Sequence, residues 1–386
     1  MRYYIERHSS KIKRFLFLAV LLIGVGIVAK LLIASKQDVV KNKELGSSSN
    51  DPNTPVLVST RVLATGNFGW GGAISSRSGG VTSYPFSTLA EFSRNQYEAW
   101  MTNLYCAPDE VGENNCQTSF VEEMSSWFNI VALGNSSSGS SSASSPLRQA
   151  LSNFGIQYIG SKDPAASNIC APMTLPARFT MGDTSFKVAK MPLALCSIYV
   201  NEANLRADQI DNIRAYSALM PTWVYVFNNP SNGLTTTASQ SSKYQSVIDA
   251  GADMVLGNDP ISVQGAENYR GKLIIYSMGN LTYQGSSVDE EIKRGIMLSI
   301  TASSAIDQNV LEWSNFVNQC SLEKDNCINV SRGKGLSKPS YKYDIELIPV
   351  SIDSNGLPVE ADKTWSQLAP ERLGWADLIE TLDYTK

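Results

Sequence analysis

The longest apolar run in this chain comes first. Residues 15–34 (FLFLAVLLIGVGIVAKLLIA) hold about 20 mostly apolar positions, enough for a helix to cross a bilayer. The single charge in the run, Lys30, lies near its far end, where a lysine can snorkel to the headgroups. Five cations precede the run (Arg2, Arg7, Lys11, Lys13 and Arg14) against one anion, Glu6, and this bias keeps residues 1–14 in the cytoplasm. The pattern predicts an uncleaved signal anchor with everything downstream outside the cytoplasmic membrane. A cleaved signal peptide is the rival reading, and a buried globular helix the plainest one. Residues 35–55 are polar, carry Gly46-Ser47-Ser48-Ser49, and read as a flexible linker.

Beyond the linker the apolar runs shorten and alternate between two periods. Val56 to Ala64 is β-rich. Residues 120–133 read as an amphipathic helix running into a strand at Asn129 to Leu133. Pro146 to Phe154 predicts a helix and Gly155 to Gly160 a strand; Phe186 to Leu195 predicts a strand, Ala207 to Met220 a helix, and Trp223 to Phe227 a buried strand. The stretch from Tyr244 to Gln284 predicts a helix stopping at Gly251, a strand at Met254 to Leu256, a turn at Gly257-Asn258-Asp259-Pro260, a second short helix, and a strand at Leu273 to Tyr276. Gly295 to Ala302 and Tyr343 to Ile352 alternate like antiparallel strands, with a hairpin signal at Asn355-Gly356. Strands interleaved with helices indicate an α/β fold, and in open α/β sheets sites gather past the carboxyl ends of strands. Position alone therefore singles out Asn258-Asp259-Pro260 and Ser277-Met278-Gly279-Asn280. The plain alternative is that both are ordinary turns.

Composition narrows the chemistry. The chain has 386 residues, 43% of them hydrophobic, enough for one large domain or two ordinary ones. A net charge of −4 gives no basic footprint for nucleic acid. The only histidine, His8, precedes the apolar run, so no Ser-His-Asp or Cys-His triad and no imidazole-ligated zinc can form downstream. The six cysteines fall into close pairs, Cys106/Cys116, Cys170/Cys196 and Cys320/Cys327, none with CxxC spacing. In an exported chain these read as three local disulfides, with free thiols the alternative. The pair Cys320/Cys327 is expected to clip the loop between the last two alternating strands.

One stretch carries a resemblance. Ile248-Asp249-Ala250-Gly251-Ala252-Asp253, Gly257, Pro260, Gln264, Glu267, Tyr269, Gly271-Lys272-Leu273-Ile274, Tyr276-Ser277 and Gly279-Asn280 fall in order on the signature of the CapA/PgsA-type bacterial capsule-synthesis proteins, which are linked to poly-γ-glutamate. Weaker matches at Asn103-Leu104, Asn135 and Gly155 to Gly160 extend it over residues 56–303, leaving residues 304–386 as a β-rich extension on the same domain. The resemblance implies a calcineurin-like metallophosphatase fold, a four-layer αββα sandwich with metals at strand ends. It also implies that the site positions are Asn67, Tyr105, Asn135, Ser137, Asn228, Asn258, Asp259 and Ile261, where the family keeps the asparagine at Asn135 and carries carboxylates or histidines at the others. One carboxylate, Asp259, remains among the eight, whereas a two-metal hydrolase needs several anionic or imidazole ligands. With amide oxygens, Asp259 could hold one hard cation weakly at most.

Two functional readings follow. The first is a membrane-anchored, non-catalytic CapA-like protein without cofactor or metal. It would assist assembly or retention of an anionic envelope polymer or bind other envelope-biosynthesis proteins. The second is a His-free hydrolase of a cell-surface polymer, with Asp259, Glu267 or Asp253 as acid or base.

Overall fold

The computed structural model describes residues 53–105, 117–133, 146–160, 165–200, 205–227, 233–258, 261–283, 285 and 289–384. They belong to one compact unit, Ser49–Lys386. The predicted anchor at residues 15–34, most of the linker, and Cys106 and Cys116 lie outside the described residues. Within the described residues no helix is long and apolar enough to cross a membrane.

The structure is a mixed α/β fold built on a large sheet, and its layout follows from one long strand. Strand β1 (Pro55–Phe68) pairs along one edge with antiparallel β11 (Arg294–Ala305), which continues into β12 (Lys342–Ile352) and β13 (Pro358–Glu360). Its other edge is shared. Pro55 to Ser59 pair antiparallel with β5 (Cys170–Met181), and Val62 to Phe68 pair parallel with β2 (Ala99–Leu104). The sheet therefore forks at β1. One arm runs through β2 to β3 (Ile130–Ala132) and β4 (Gln157–Ile159), all parallel. The other runs from β5 through β6 (Phe186–Tyr199), β7 (Thr222–Phe227), β8 (Met254–Gly257) and β10 (Lys272–Ile275) to β9 (Ala266–Tyr269). Within it β6, β7, β8 and β10 are mutually parallel.

The two arms share one core. Alternate residues of each strand point to opposite faces, and here both faces are apolar. Trp223, Tyr225 and Phe227 of β7 join Met101 of β2 and Ile130 of β3 in a central cluster. The intervening Val224 and Val226 pack with Tyr244, Val247, Trp313 and Val317 from the helices Ala238–Asp249 and Gln308–Leu322. Trp100 and Val131, on the other face of the first arm, pack with Phe68, Trp70, Phe120 and Phe128.

Several elements differ from the sequence reading. The loop expected between β11 and β12 is two helices, Gln308–Leu322 and Lys324–Gly333. Asp307 caps the first by accepting from Val310 N at 2.7 Å, and Val310, Trp313, Phe316, Val317 and Cys320 form its buried stripe. With the helices Lys363–Leu373 and Trp375–Glu380, residues 304–386 hold more helix than strand alternation indicated. The second short helix expected before Leu273 is instead β9, which turns into β10 through Arg270-Gly271. Both turn residues have positive φ (54° and 81°), the signature of a two-residue hairpin turn. Between residues 120 and 133 only Val121–Met124 is α-helical. The helix expected from Tyr244 begins at Ala238, because the Thr237 side chain accepts from Gln240 N.

Two of the expected disulfides are formed. Cys170 and Cys196 stand opposite each other in the β5–β6 ladder, and Cys320–Cys327 joins consecutive helices. The first closes a span of 26 residues, worth about 3 kcal/mol through the unfolded chain. Peptide mapping without reductant is expected to return 170–196, 320–327 and also 106–116. Crossed pairings would contradict the local-pair reading.

Candidate functional site

Where the two arms meet, four asparagines close on one another. A one-residue register shift in β1 between Ala64 and Asn67 marks a bulge, the device that re-aims a strand's side chains. It turns Asn67 inward. Asn67 Nδ2 donates to Asn258 O (3.0 Å) and Asn280 Oδ1 (3.1 Å), while Asn67 Oδ1 accepts from Asn103 Nδ2. Asn280 Nδ2 donates to Ile292 O at 3.1 Å, and Asn258 Nδ2 to Leu256 O at 3.3 Å. All four residues are buried. The backbone joins in: Asn67 N donates to Gly279 O, and Asn67 O accepts from Leu281 N and Thr282 N.

Glycines permit this approach. A Cβ on Gly66 would lie 2.2 Å from Gly279 O, and one on Gly257 would lie 2.1 Å from Tyr276 O. Gly279 itself has φ +68°, the left-handed region that glycine occupies without strain. A further shell secures the walls. Tyr225 donates its hydroxyl to Thr65 O at 3.1 Å, and burial pushes that phenol's pKa far up, so it stays a donor. Thr282 Oγ1 accepts from Gly69 N and donates to Gly69 O.

Of the eight positions that the resemblance marks, the structure brings Asn67 and Asn258 together. Tyr105 lies at the end of β2, its N–H donating to Phe68 O at 2.8 Å, and Ile261 follows β8 half-buried. Asn135, Ser137, Asn228 and Asp259 lie outside the described residues. Asn103 and Asn280 complete the network and were absent from the predicted set. Asn280 did stand in one of the two turns singled out by position, and Asn103 in a matched element.

The donor set decides what this site can hold. Metal ions of a hydrolytic centre need lone pairs from imidazole, thiolate or carboxylate. Here the amide protons of Asn67 and Asn103 occupy the middle, and the Asn67 and Asn280 side-chain oxygens already accept hydrogen bonds. Asn103 Oδ1 and Asn258 Oδ1 are buried without a hydrogen-bond partner among the described residues, two neutral oxygens where a two-metal ligand set needs several anionic ones. No three of His, Cys, Asp and Glu converge among the described residues. The described residues do not fit the metal centre that the resemblance implies.

The other proposed acid–base groups have structural partners and stand on different elements. Asp253 precedes β8 and accepts from Thr222 N (2.8 Å) and Lys338 Nζ (2.8 Å). Glu267 lies on β9 and accepts from the Tyr276 hydroxyl and from Gln245 Nε2 (2.9 Å). Burial, then the bond to Glu267, raises the Tyr276 pKa, so the phenol keeps its proton.

Comparison with known families agrees with the sequence resemblance over part of the chain. The family model described as bacterial capsule synthesis protein PGA_cap matches residues 183–284, from the β5–β6 turn through the turn after Asn280. That match includes Asn228, Asn258, Asp259 and Ile261 and excludes Asn67, Tyr105, Asn135 and Ser137. No curated protein matches the chain.

Restoring a carboxylate tests the donor argument. In Asn67→Asp the new oxygen faces Asn280 Oδ1 and Asn258 O, two acceptors, in a buried site. The variant is expected to lose about 2 kcal/mol or more of stability, measured by denaturant unfolding, with no recovery on adding manganese. Manganese-dependent recovery would show that the scaffold still holds a metal geometry.

Proposed function

We propose that this chain is a membrane-anchored, extracytoplasmic and non-catalytic component of capsule or other envelope-polymer biosynthesis. Its domain is read as a four-layer αββα sandwich of metallophosphatase type whose metal site has become a hydrogen-bonded amide cluster. Three lines support this reading. The forked sheet carries one cluster between its arms and two beyond them, as four layers require. The capsule-synthesis family matches residues 183–284. The observation that carries the reading is the buried Asn67–Asn103–Asn258–Asn280 network at the strand ends.

On this reading the domain acts by binding. The partner class that suits the resemblance is an anionic envelope polymer such as poly-γ-glutamate, or other proteins that build it. The apolar run at residues 15–34 behind a basic flank supports cytoplasmic-membrane anchoring with the domain outside. Nothing in the composition supports a nucleic-acid partner.

Purified protein is expected to contain less than stoichiometric zinc, manganese or iron by elemental analysis, and to leave a generic phosphoester intact with added manganese. One bound transition metal per chain, or manganese-dependent turnover lost in Asp259→Ala, would overturn the non-catalytic reading. The topology has its own test. A reporter fused after Lys386 is expected to be active only outside the cytoplasmic membrane, and cytoplasmic activity would reject the anchor.

A further inference from the structure

The parallel strands β7, β8 and β10 have a second end, away from the asparagines. There Thr222, Asp253 and Lys272 begin or precede their strands side by side. Asp253 is buried and accepts from Thr222 N at 2.8 Å. Lys338, from the segment after the helix Lys324–Gly333, places Nζ 2.7 and 2.8 Å from the two carboxylate oxygens. Lys272 Nζ lies 4.0 Å from Asp253 Oδ1, with only 11% of its side chain exposed. Two ammonium groups thus approach a carboxylate that already serves a backbone amide, while Asp383 also acts on Lys272, whose Nζ lies 4.9 Å from the centroid of the Tyr384 ring. Burial lowers the Lys272 pKa, and Asp253 offsets part of that.

A hollow of about 200 Å³ opens on these groups, walled by Tyr341, Tyr343 and Tyr384. A second hollow of about 650 Å³ shares Asp253, Lys272 and Lys338 and leads to the surface past Arg270 and Asp383. Arg270 is paired with Asp249 at 2.8 Å. The walls are fixed. Asp383 N donates to Gly271 O (2.8 Å), and Asn268 Nδ2 donates to Thr381 Oγ1, which draws the C-terminal segment over the β9–β10 turn and sets Tyr384 in place. Tyr343 Oη accepts from Trp223 Nε1 (3.4 Å), and Tyr384 Oη accepts from Leu273 N (3.3 Å). Neither hydroxyl donates to a described residue. Burial raises both phenols' pKa values, so both protons stay on. The smaller hollow is therefore lined by two lysines, two tyrosines whose hydroxyls keep their protons, and one already engaged carboxylate.

We infer that this hollow is a binding site for a small oxyanion, a carboxylate or a phosphate, held by Lys272 and Lys338 and oriented by the Tyr343 and Tyr384 hydroxyls. The anion adds hydrogen-bonding acceptors for the two ammonium groups beside Asp253 and Asp383. The volume admits a group of a few heavy atoms, either a free ion or the terminal group of a longer molecule lying in the outer hollow. The site stands at the opposite strand ends from the asparagine cluster and does not depend on the non-catalytic reading of that cluster.

Titration calorimetry on the full chain in detergent, at constant ionic strength in chloride, tests it with succinate and inorganic phosphate as separate probes. One of them is expected to bind saturably at one site per chain. Succinate identifies a carboxylate ligand and phosphate a phosphate ligand. Lys338→Met is expected to weaken binding about ten-fold, the loss of one charge-assisted hydrogen bond. Tyr343→Phe removes only a hydroxyl, keeps the aromatic wall, and is expected to weaken binding several-fold. It decides the matter if Lys338→Met fails to fold. Heats for both anions that match the chloride control, or binding equally strong in Tyr343→Phe and the parent, would overturn the assignment.

Discussion

Asn67 is the residue on which the two arms of the sheet depend. Its backbone ties the end of β1 to Gly279, Leu281 and Thr282, and its side chain reaches Asn103 from the first arm and Asn258 and Asn280 from the second. Each of these groups is buried, and an unpaired buried amide costs roughly 1–3 kcal/mol. The arrangement is therefore cooperative: the bulge after Ala64 aims Asn67, the glycines at 66, 257 and 279 let the backbones close, and Asn67 bonds the side chains of Asn103 and Asn280 and the backbone of Asn258. Moving any one of them strands the others.

That closure explains why the cluster needs no cation. Carboxylates gathered in the same volume would repel one another and require metal ions to hold them. Amides carry both a donor and an acceptor, so four of them largely complete their own hydrogen bonding. Asparagine also has no charge to gain or lose, so the junction between the arms is indifferent to pH. What the junction gives up is the field that would polarise a water or a phosphoester. On the proposed reading these strand ends form a structural joint, and a charged cluster of Asp253, Lys272 and Lys338 lies at the other ends of the same strands.

The strands that announce themselves are those whose burial is visible locally. Trp223 to Phe227 is a two-sided apolar run, and Gly295 to Ala302 alternates cleanly. β5 escaped notice because Pro172 and Pro176 interrupt it, and proline argues against a strand. Here it pairs with β6 through both positions. The helix Gln308–Leu322 has a buried stripe at helical spacing, but the Cys320/Cys327 pair drew that segment toward a clipped loop. β9 is short and polar, and its strand character comes from pairing with β10. For the site, Asn67 and Asn258 were legible as strand-end residues. Their meeting with Asn103 and Asn280 was not, because Asn67 and Asn280 are 213 residues apart and only the forked sheet joins them. The same holds for Lys272 and Lys338, which converge on Asp253 through packing alone.

We propose that the strand ends hold a hydrogen-bonded amide joint in place of a metal centre. The most direct measurement follows the side-chain amide resonances of Asn67, Asn103, Asn258 and Asn280 in isotopically labelled protein as paramagnetic manganese is added to one equivalent. The account predicts that all four resonances persist unbroadened. Their selective disappearance at stoichiometric manganese would place a metal ion among them and contradict it.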